Sequence, residues 1–197
     1  MIYGKIGKRF EGVTIENYKC PPGCEEARAA CRAFIAGSTE GLLLMGKVGT
    51  GKTHLLAAVA LAFHQDADTR YEKRDGIDVA ISNEVKTVAF YPMLDLVAAL
   101  RDDVRNKSRR TIKQCLSADL MVLDDLGVER STEFIAEELA QIINGRYDAM
   151  KPIAVSTNLT IQGIKERYSD RALSRWAQTC ERVEMKQADF RIGSRPS

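Results

Sequence analysis

The stretch Gly46-Lys47-Val48-Gly49-Thr50-Gly51-Lys52-Thr53 constrains this chain more than any other. It matches G-x-x-x-x-G-K-[ST] at every position. Before it, Gly41-Leu42-Leu43-Leu44-Met45 reads as a short buried strand; after it, His54 to Phe63 reads as a buried helix. In a strand, glycine loop and helix arranged in that order, successive N–H groups and the helix N-terminus can face anionic oxygens. Lys52 then reaches the β- and γ-oxygens of a triphosphate and Thr53 holds Mg²⁺.

Composition narrows the class. With 197 residues, 45% hydrophobic and 28% charged, the chain suits one globular domain with a sizeable core. A formal net charge of +2 is too small to demand a nucleic-acid partner, so that argument must rest on local clustering. No apolar run reaches membrane-span length, and Met1 to Lys5 lacks a signal peptide's apolar core, so a cytoplasmic protein without a membrane partner is expected. Five cysteines, an odd number, argue for reduced thiols. Cys20, Cys24 and Cys31 cluster, but His54 and His64 both lie on the helix after the glycine loop, leaving a zinc site short of a ligand.

Lys8 to Tyr18 reads as an ordered arm before the Pro21-Pro22-Gly23 break, and residues 25–36 as a helix with Ala29, Ala30, Ala33 and Phe34 inward. Gln65 to Asn83 is charged and turn-rich, which marks a surface excursion. Lys86 to Tyr91 is a β-branched and aromatic strand; Pro92 suits the first turn of a helix whose inner face is Met93, Leu94, Leu96, Val97 and Leu100. Arg101 to Lys113 then carries Arg101, Arg105, Lys107, Arg109, Arg110 and Lys113 against Asp102 and Asp103, a local net charge of +4. This is the candidate DNA contact, with a solvated surface segment as the alternative.

Leu120-Met121-Val122-Leu123 is a buried strand that ends in Asp124-Asp125. Paired acids at the C-terminal edge of an apolar strand have no structural need to be there, whereas triphosphate-bound Mg²⁺ and an attacking water do need them. Asp124 is assigned to the metal and Asp125 to the water; a turn-forming Asp-Asp is the alternative. A helix from about Ser131 to Ala149 leads to the strand Ile153 to Asn158, where Asn158 is either a turn residue or a partner of the water or γ-phosphate. Thr160 is read as the N-cap of a helix reaching about Trp176, along which Arg167, Arg171 and Arg175 share one face. That stripe is either solvated and paired to Glu166 and Asp170, or presents an arginine to a neighbour's triphosphate.

Together, Gly46 to Thr53, Leu120 to Gly127, Ile142-Ile143-Asn144-Gly145-Arg146-Tyr147 and Val155-Ser156-Thr157-Asn158-Leu159 resemble the AAA+ ATPases of the DnaC/DnaI helicase-loader and IstB group. The resemblance spans residues 8–192. It implies an α/β P-loop NTPase fold, a three-layer sandwich with a five-stranded parallel sheet, ATP and Mg²⁺ at the sheet edge, and a ring or spiral homo-oligomer. It further implies that Asp124 and Asp125 are the Walker B acids, with Asp125 where most AAA+ proteins carry Glu, and that Asn158 is the first sensor. Arg175, in Leu173-Ser174-Arg175-Trp176, falls at the arginine finger, and Arg191, in Asp189-Phe190-Arg191, near the second sensor. The domain division is then an N-terminal arm and helix over 1–36 and an AAA+ ATPase domain over 37–197.

The expected function is ATP-dependent loading of a replicative DNA helicase onto single-stranded DNA, with hydrolysis at subunit interfaces. The rivals are an IstB-like transposition helper on duplex DNA and a nucleotide-dependent scaffold with negligible turnover. Loaders similar to DnaC carry a separate helicase-gripping segment, whereas here the first strand opens at Gly41. Either the chain is the ATPase portion alone or it recruits its helicase differently.

Overall fold

Alternating burial on two faces of a parallel sheet organises the chain. The computed structural model describes residues 1–18, 23–65, 70–74, 77–81, 86–130, 132–168, 176–177 and 180–186, with 70–74 and 77–81 described by backbone alone. In order these form β1 (Ile2–Gly4), a 3-10 turn (Lys8–Phe10), α1 (Glu25–Ile35), β2 (Gly41–Gly46), α2 (Lys52–Gln65), β3 (Arg70–Arg74) and β4 (Ile77–Ile81). β5 (Val88–Pro92), α3 (Met93–Arg105), α4 (Arg110–Ser117), β6 (Leu120–Leu126), α5 (Glu133–Asp148), β7 (Ile153–Thr157), α6 (Ile161–Tyr168) and β8 (Glu181–Met185) follow.

The main sheet has the order β1-β5-β6-β7-β2-β8, with every pairing parallel. Because side chains alternate across a strand, Leu43, Ala89, Met121, Leu123 and Val155 face one layer of helices, α3 to α6. Leu42, Leu44, Phe90, Val122 and Ala154 face the other, built from the N-terminal arm, α1 and α2. This is the expected three-layer α/β sandwich.

Four details differ from expectation. The sheet has six strands rather than five, because Ile2–Gly4 adds a strand to the open edge of β5. The excursion after α2 contains an antiparallel hairpin, β3 with β4. The inner face of α1 is Ala27, Ala30, Cys31 and Phe34, leaving Ala29 exposed, and on α3 Leu94 is also exposed. Finally, Cys24 is disulfide-bonded, while Cys31, Cys115 and Cys180 are free and buried. An odd count excludes complete pairing, not a single bond.

Candidate nucleotide-binding site

The strand order brings three sequence motifs to one edge. β7 lies between β6 and β2, so the C-terminal ends of all three meet, where open α/β sheets bind ligands. The glycine loop follows β2, Asp124 and Asp125 end β6, and Asn158 follows β7. Within the loop Gly46, Gly49 and Gly51 all have positive φ. At Gly46 a Cβ would stand 2.3 Å from the Met185 carbonyl oxygen of β8, so a side chain there would break the sheet contact.

Lys52 Nζ donates to the carbonyls of Gly46 and Lys47, each at 2.8 Å, and to Asn158 Oδ1 at 2.7 Å. Thr53 Oγ1 donates to Asp124 Oδ1 at 3.1 Å, and Ser156 Oγ donates to the same oxygen at 2.5 Å. Asp124 and Lys52 are each 4% exposed. Burial raises the Asp124 carboxyl above its ordinary range, against the lowering effect of the Ser156 hydrogen bond; the nearby Asp125 charge raises it further. Thr53 and Asp124 thus present two hard oxygens side by side, which fits Mg²⁺, an ion commonly held by one or two protein ligands plus phosphate oxygens.

Asp125 sits at a register break between β6 and β7 and has φ +58°. A non-glycine residue in that region costs about 1–2 kcal/mol. The break is held by Ser156 Oγ, which accepts from Asp125 N at 2.9 Å, and by Thr157 Oγ1, which donates to the Leu126 carbonyl at 2.6 Å. The result separates the two acids: Asp124 is buried against the loop, while Asp125 is half-buried and lines the cleft.

That cleft holds about 790 Å³, and its far wall is the N-terminal arm. Phe10 and Tyr18 pack on the His54 ring at centroid distances of 6.0 and 4.9 Å. Tyr18 Oη donates to the Thr50 carbonyl at 3.3 Å, and a Cβ on Gly51 would stand 2.1 Å from that hydroxyl oxygen. The arm is pre-shaped: Asn17 Oδ1 accepts from Thr14 N at 2.8 Å, Thr14 Oγ1 accepts from Asn17 N at 3.0 Å, and Asn17 Nδ2 donates to the Gly12 carbonyl at 2.8 Å. Burial lowers the His54 pKa and so favours the neutral ring, whose Nε2 has no hydrogen-bond partner among the described residues. Aromatic rings beside a phosphate loop, in a cleft with polar groups along its other walls, have the chemistry of a base pocket. Sequence reasoning treated Phe10 and Tyr18 only as parts of an arm and His54 only as part of a helix, because the contact that joins them is tertiary.

Of the other expected site residues, Val48 is exposed at the cleft mouth and Thr50 is buried within the loop. The stretch Arg101 to Lys113 is not one helix end. It covers the last turns of α3, a turn with Lys107 at φ +49°, and the start of α4. Arg105 pairs with Asp102 at 3.1 Å, and Arg109 with Glu138 at 2.9 Å. Arg101 is exposed, and Lys107, Arg109, Arg110 and Lys113 line a hollow of about 490 Å³. Thr160 caps α6, its Oγ1 accepting from Gly163 N at 3.0 Å. Arg167 on that helix donates to Glu129 rather than Glu166. Arg171, Arg175 and Arg191 lie outside the described residues.

Comparison with known proteins agrees with this fold. The DnaC helicase loader crystal structure superposes with a TM-score of 0.74 at 23% identity, over 91% of this chain and 100% of that one. The replication initiator DnaA bound to AMPPCP and single-stranded DNA gives 0.72 at 24% identity, over 89% and 50%. In sequence, the uncharacterized protein YdaV of Escherichia coli K12 is 25% identical over 84% of this chain and 60% of its own length. The replicative helicase loader DnaC of the same organism is 23% identical over 84% and 63%, so this chain spans about six-tenths of these relatives. No helix among the described residues is long and apolar enough to cross a membrane. The profile of the IstB-like ATP binding proteins matches residues 27–196, and the chain belongs to that family.

Proposed function

We propose that this protein is a cytoplasmic, Mg²⁺-dependent ATPase that loads a replicative DNA helicase onto single-stranded DNA as a ring or spiral of identical subunits. The observation that carries the ATPase reading is the convergence of two hydrogen-bonded pairs, Lys52 with Asn158 and Thr53 with Asp124, at the ends of three adjacent strands. The similarity to the DnaC helicase loader over that structure's whole length supports the loading role.

In this reading the loop Gly46 to Thr53 cradles the phosphates, and the Lys52 ammonium exchanges loop carbonyls for the β- and γ-oxygens. Thr53 and Asp124 hold Mg²⁺, which neutralises charge developing on the phosphates. Asp125 orients the attacking water, and Asn158 senses the γ-phosphate. Arg175 reaches the triphosphate of a neighbouring subunit, and Arg191 approaches the nucleotide as the second sensor. The base lies in the cleft that the arm and His54 wall together. DNA runs over the basic α3–α4 hairpin, with Arg101, Lys107, Arg110 and Lys113 on its backbone.

The match to the IstB-like family favours a second reading, a transposase helper on duplex DNA. The partner co-purifying from the native host separates the two, together with preference for single-stranded or duplex DNA. For the site itself, Lys52→Ala should weaken ATP binding by about 3 kcal/mol, on the order of a hundred-fold, as charge-assisted phosphate bonds are lost. Asp125→Asn should keep binding and lose turnover. Titration of ATP and phosphate release measure both, and equal affinity and hydrolysis in wild type and Lys52→Ala would overturn the assignment.

A further inference from the structure

Glu129 is an acid that the ATPase reading leaves without a task. It is 3% exposed and lies four residues after Asp125, within the loop between β6 and α5. Its Oε2 accepts from Gly127 N at 3.1 Å. Its Oε1 accepts from Tyr168 Oη at 2.5 Å and from Arg167 Nε at 3.4 Å, and the Arg167 guanidinium also donates to the Glu129 carbonyl. Tyr168 is itself buried, and burial together with the Glu129 hydrogen bond raises its pKa, so its hydroxyl keeps its proton for this bond.

The loop it closes is short and fully tied. Val128 N donates to the Asp125 carbonyl at 3.3 Å, Ser156 Oγ accepts from Asp125 N, and Thr157 Oγ1 donates to the Leu126 carbonyl. Ser156 and Thr157 belong to β7, inside the sheet. Among the described residues, the Glu129 side chain ties this loop to a separate helix, α6, through that helix's last two residues. Asp125, at φ +58°, holds its direction only while the surrounding loop keeps that backbone in place.

We infer that Glu129 is a positioning residue for Asp125, and that through Tyr168 and Arg167 it makes α6 the element that sets the aim of the Asp125 carboxylate. The inference rests on the reading of Asp125 as the group that orients the attacking water. An α6 that shifts carries Glu129, then Gly127, then the backbone of Asp125. Lys52 bonds to the glycine loop and Asn158, and Asp124 is held by Thr53 and by Ser156 of β7, which also accepts from Asp125 N, so the phosphate and metal contacts are affected less than the aim of Asp125.

The test is a split between kcat and binding in the full chain. Tyr168→Phe removes one hydroxyl, and Glu129→Gln sets an amide donor among the N–H and O–H donors that the carboxylate accepts from. Each should lower kcat about ten- to a hundred-fold, the scale of small misplacements of a catalytic group. ATP affinity and KM should stay within about two-fold of wild type, as for an interaction expressed only in the transition state. Glu166→Gln, on the exposed side of the same helix and bonded to Gln162 among the described residues, is the control and should leave both unchanged. If Glu129→Gln does not fold, Tyr168→Phe carries the test. Folded variants with wild-type kcat, or with affinity falling in step with kcat, would overturn this inference alone. A wild type that binds ATP without turnover would overturn the ATPase reading and this role with it.

Discussion

Ionisable groups are buried at both ends of β6, and the two ends accommodate them in opposite ways. At its start, Arg146 is completely buried and donates to four carbonyls: Cys115 at 2.6 Å, Ala118 at 2.8 Å, Asp119 at 3.3 Å and Pro152 at 2.8 Å. Burial brings its pKa down to about 10, still charged at neutral pH. At the other end, Lys52 and Asp124 are bound by side chains and by the glycine loop. The first set of partners is fixed backbone at the end of α4 and the start of β7, with nothing a ligand could replace. The second is a set of contacts that phosphate and metal can take over. One sheet therefore supplies a closed charge that fixes structure and an open pair that fits a ligand, and the difference lies in whether the partners are exchangeable rather than in burial.

The largest expected effect is at the closed end. Arg146→Met should destabilise the protein by about 3–5 kcal/mol, because four carbonyls lose a charged donor at once. Urea unfolding measures it. A loss under about 1 kcal/mol would show that the carbonyls find other donors and would break the comparison. ATP affinity of the folded fraction should not change, since the nucleotide cleft lies at the opposite end of the sheet.

The open end should respond with the opposite sign. Burial raises the Asp124 pKa, so its contribution to stability is complete below the unfolded carboxyl value near 3.9 and is lost as pH rises through the folded value. Without nucleotide, Asp124→Asn should be about 1 kcal/mol more stable than wild type at neutral pH, with the gain vanishing as pH falls toward 4. Hydrolysis should be lost. Denaturant melts at several pH values read the first effect, and phosphate release the second. A variant destabilised at neutral pH would mean that the ionised carboxylate is well satisfied in the free protein, and the contrast with Arg146 would disappear.

These two ends were not equally legible in the sequence. The open end could be read because its parts are local patterns: a glycine loop whose spacing is set by phosphate, and acids where an apolar strand has no use for them. Arg146 could not be singled out by chemistry, since nothing in its neighbourhood says that a cation on an amphipathic helix turns inward to collect carbonyls. Ser156 looked like one polar residue at a strand end, yet its register beside β6 makes it the partner of both acids. β1 has three residues and no periodicity, so only the vacant edge of β5 specifies it. Tyr18 and His54 meet through a tertiary contact that the run of residues 8–18 does not encode.

The smallest effect carries the same contrast to the surface. In the basic α3–α4 hairpin, Arg105 and Arg109 are engaged by Asp102 and Glu138, whereas Lys107, Arg110 and Lys113 form no ion pair among the described residues. An engaged cation must give up its carboxylate to reach a phosphate; an unengaged one gives up only counterions and water. If DNA runs over this hairpin, replacing Lys107, Arg110 and Lys113 by Ala should reduce the slope of log affinity against log salt by about 2, at roughly 0.7 per single-stranded phosphate contact. Replacing Arg105 and Arg109 should change the slope by less than about 0.7. Arg109→Ala should instead appear in stability, by about 0.5–1 kcal/mol, because its partner Glu138 is largely buried on α5. Binding of an oligothymidylate between low and moderate salt, run beside melts of the same variants, distinguishes the two groups. Equal slopes for both sets would mean that pairing in the free protein does not decide which cations DNA recruits, and unchanged slopes in both would move the DNA contact away from this hairpin.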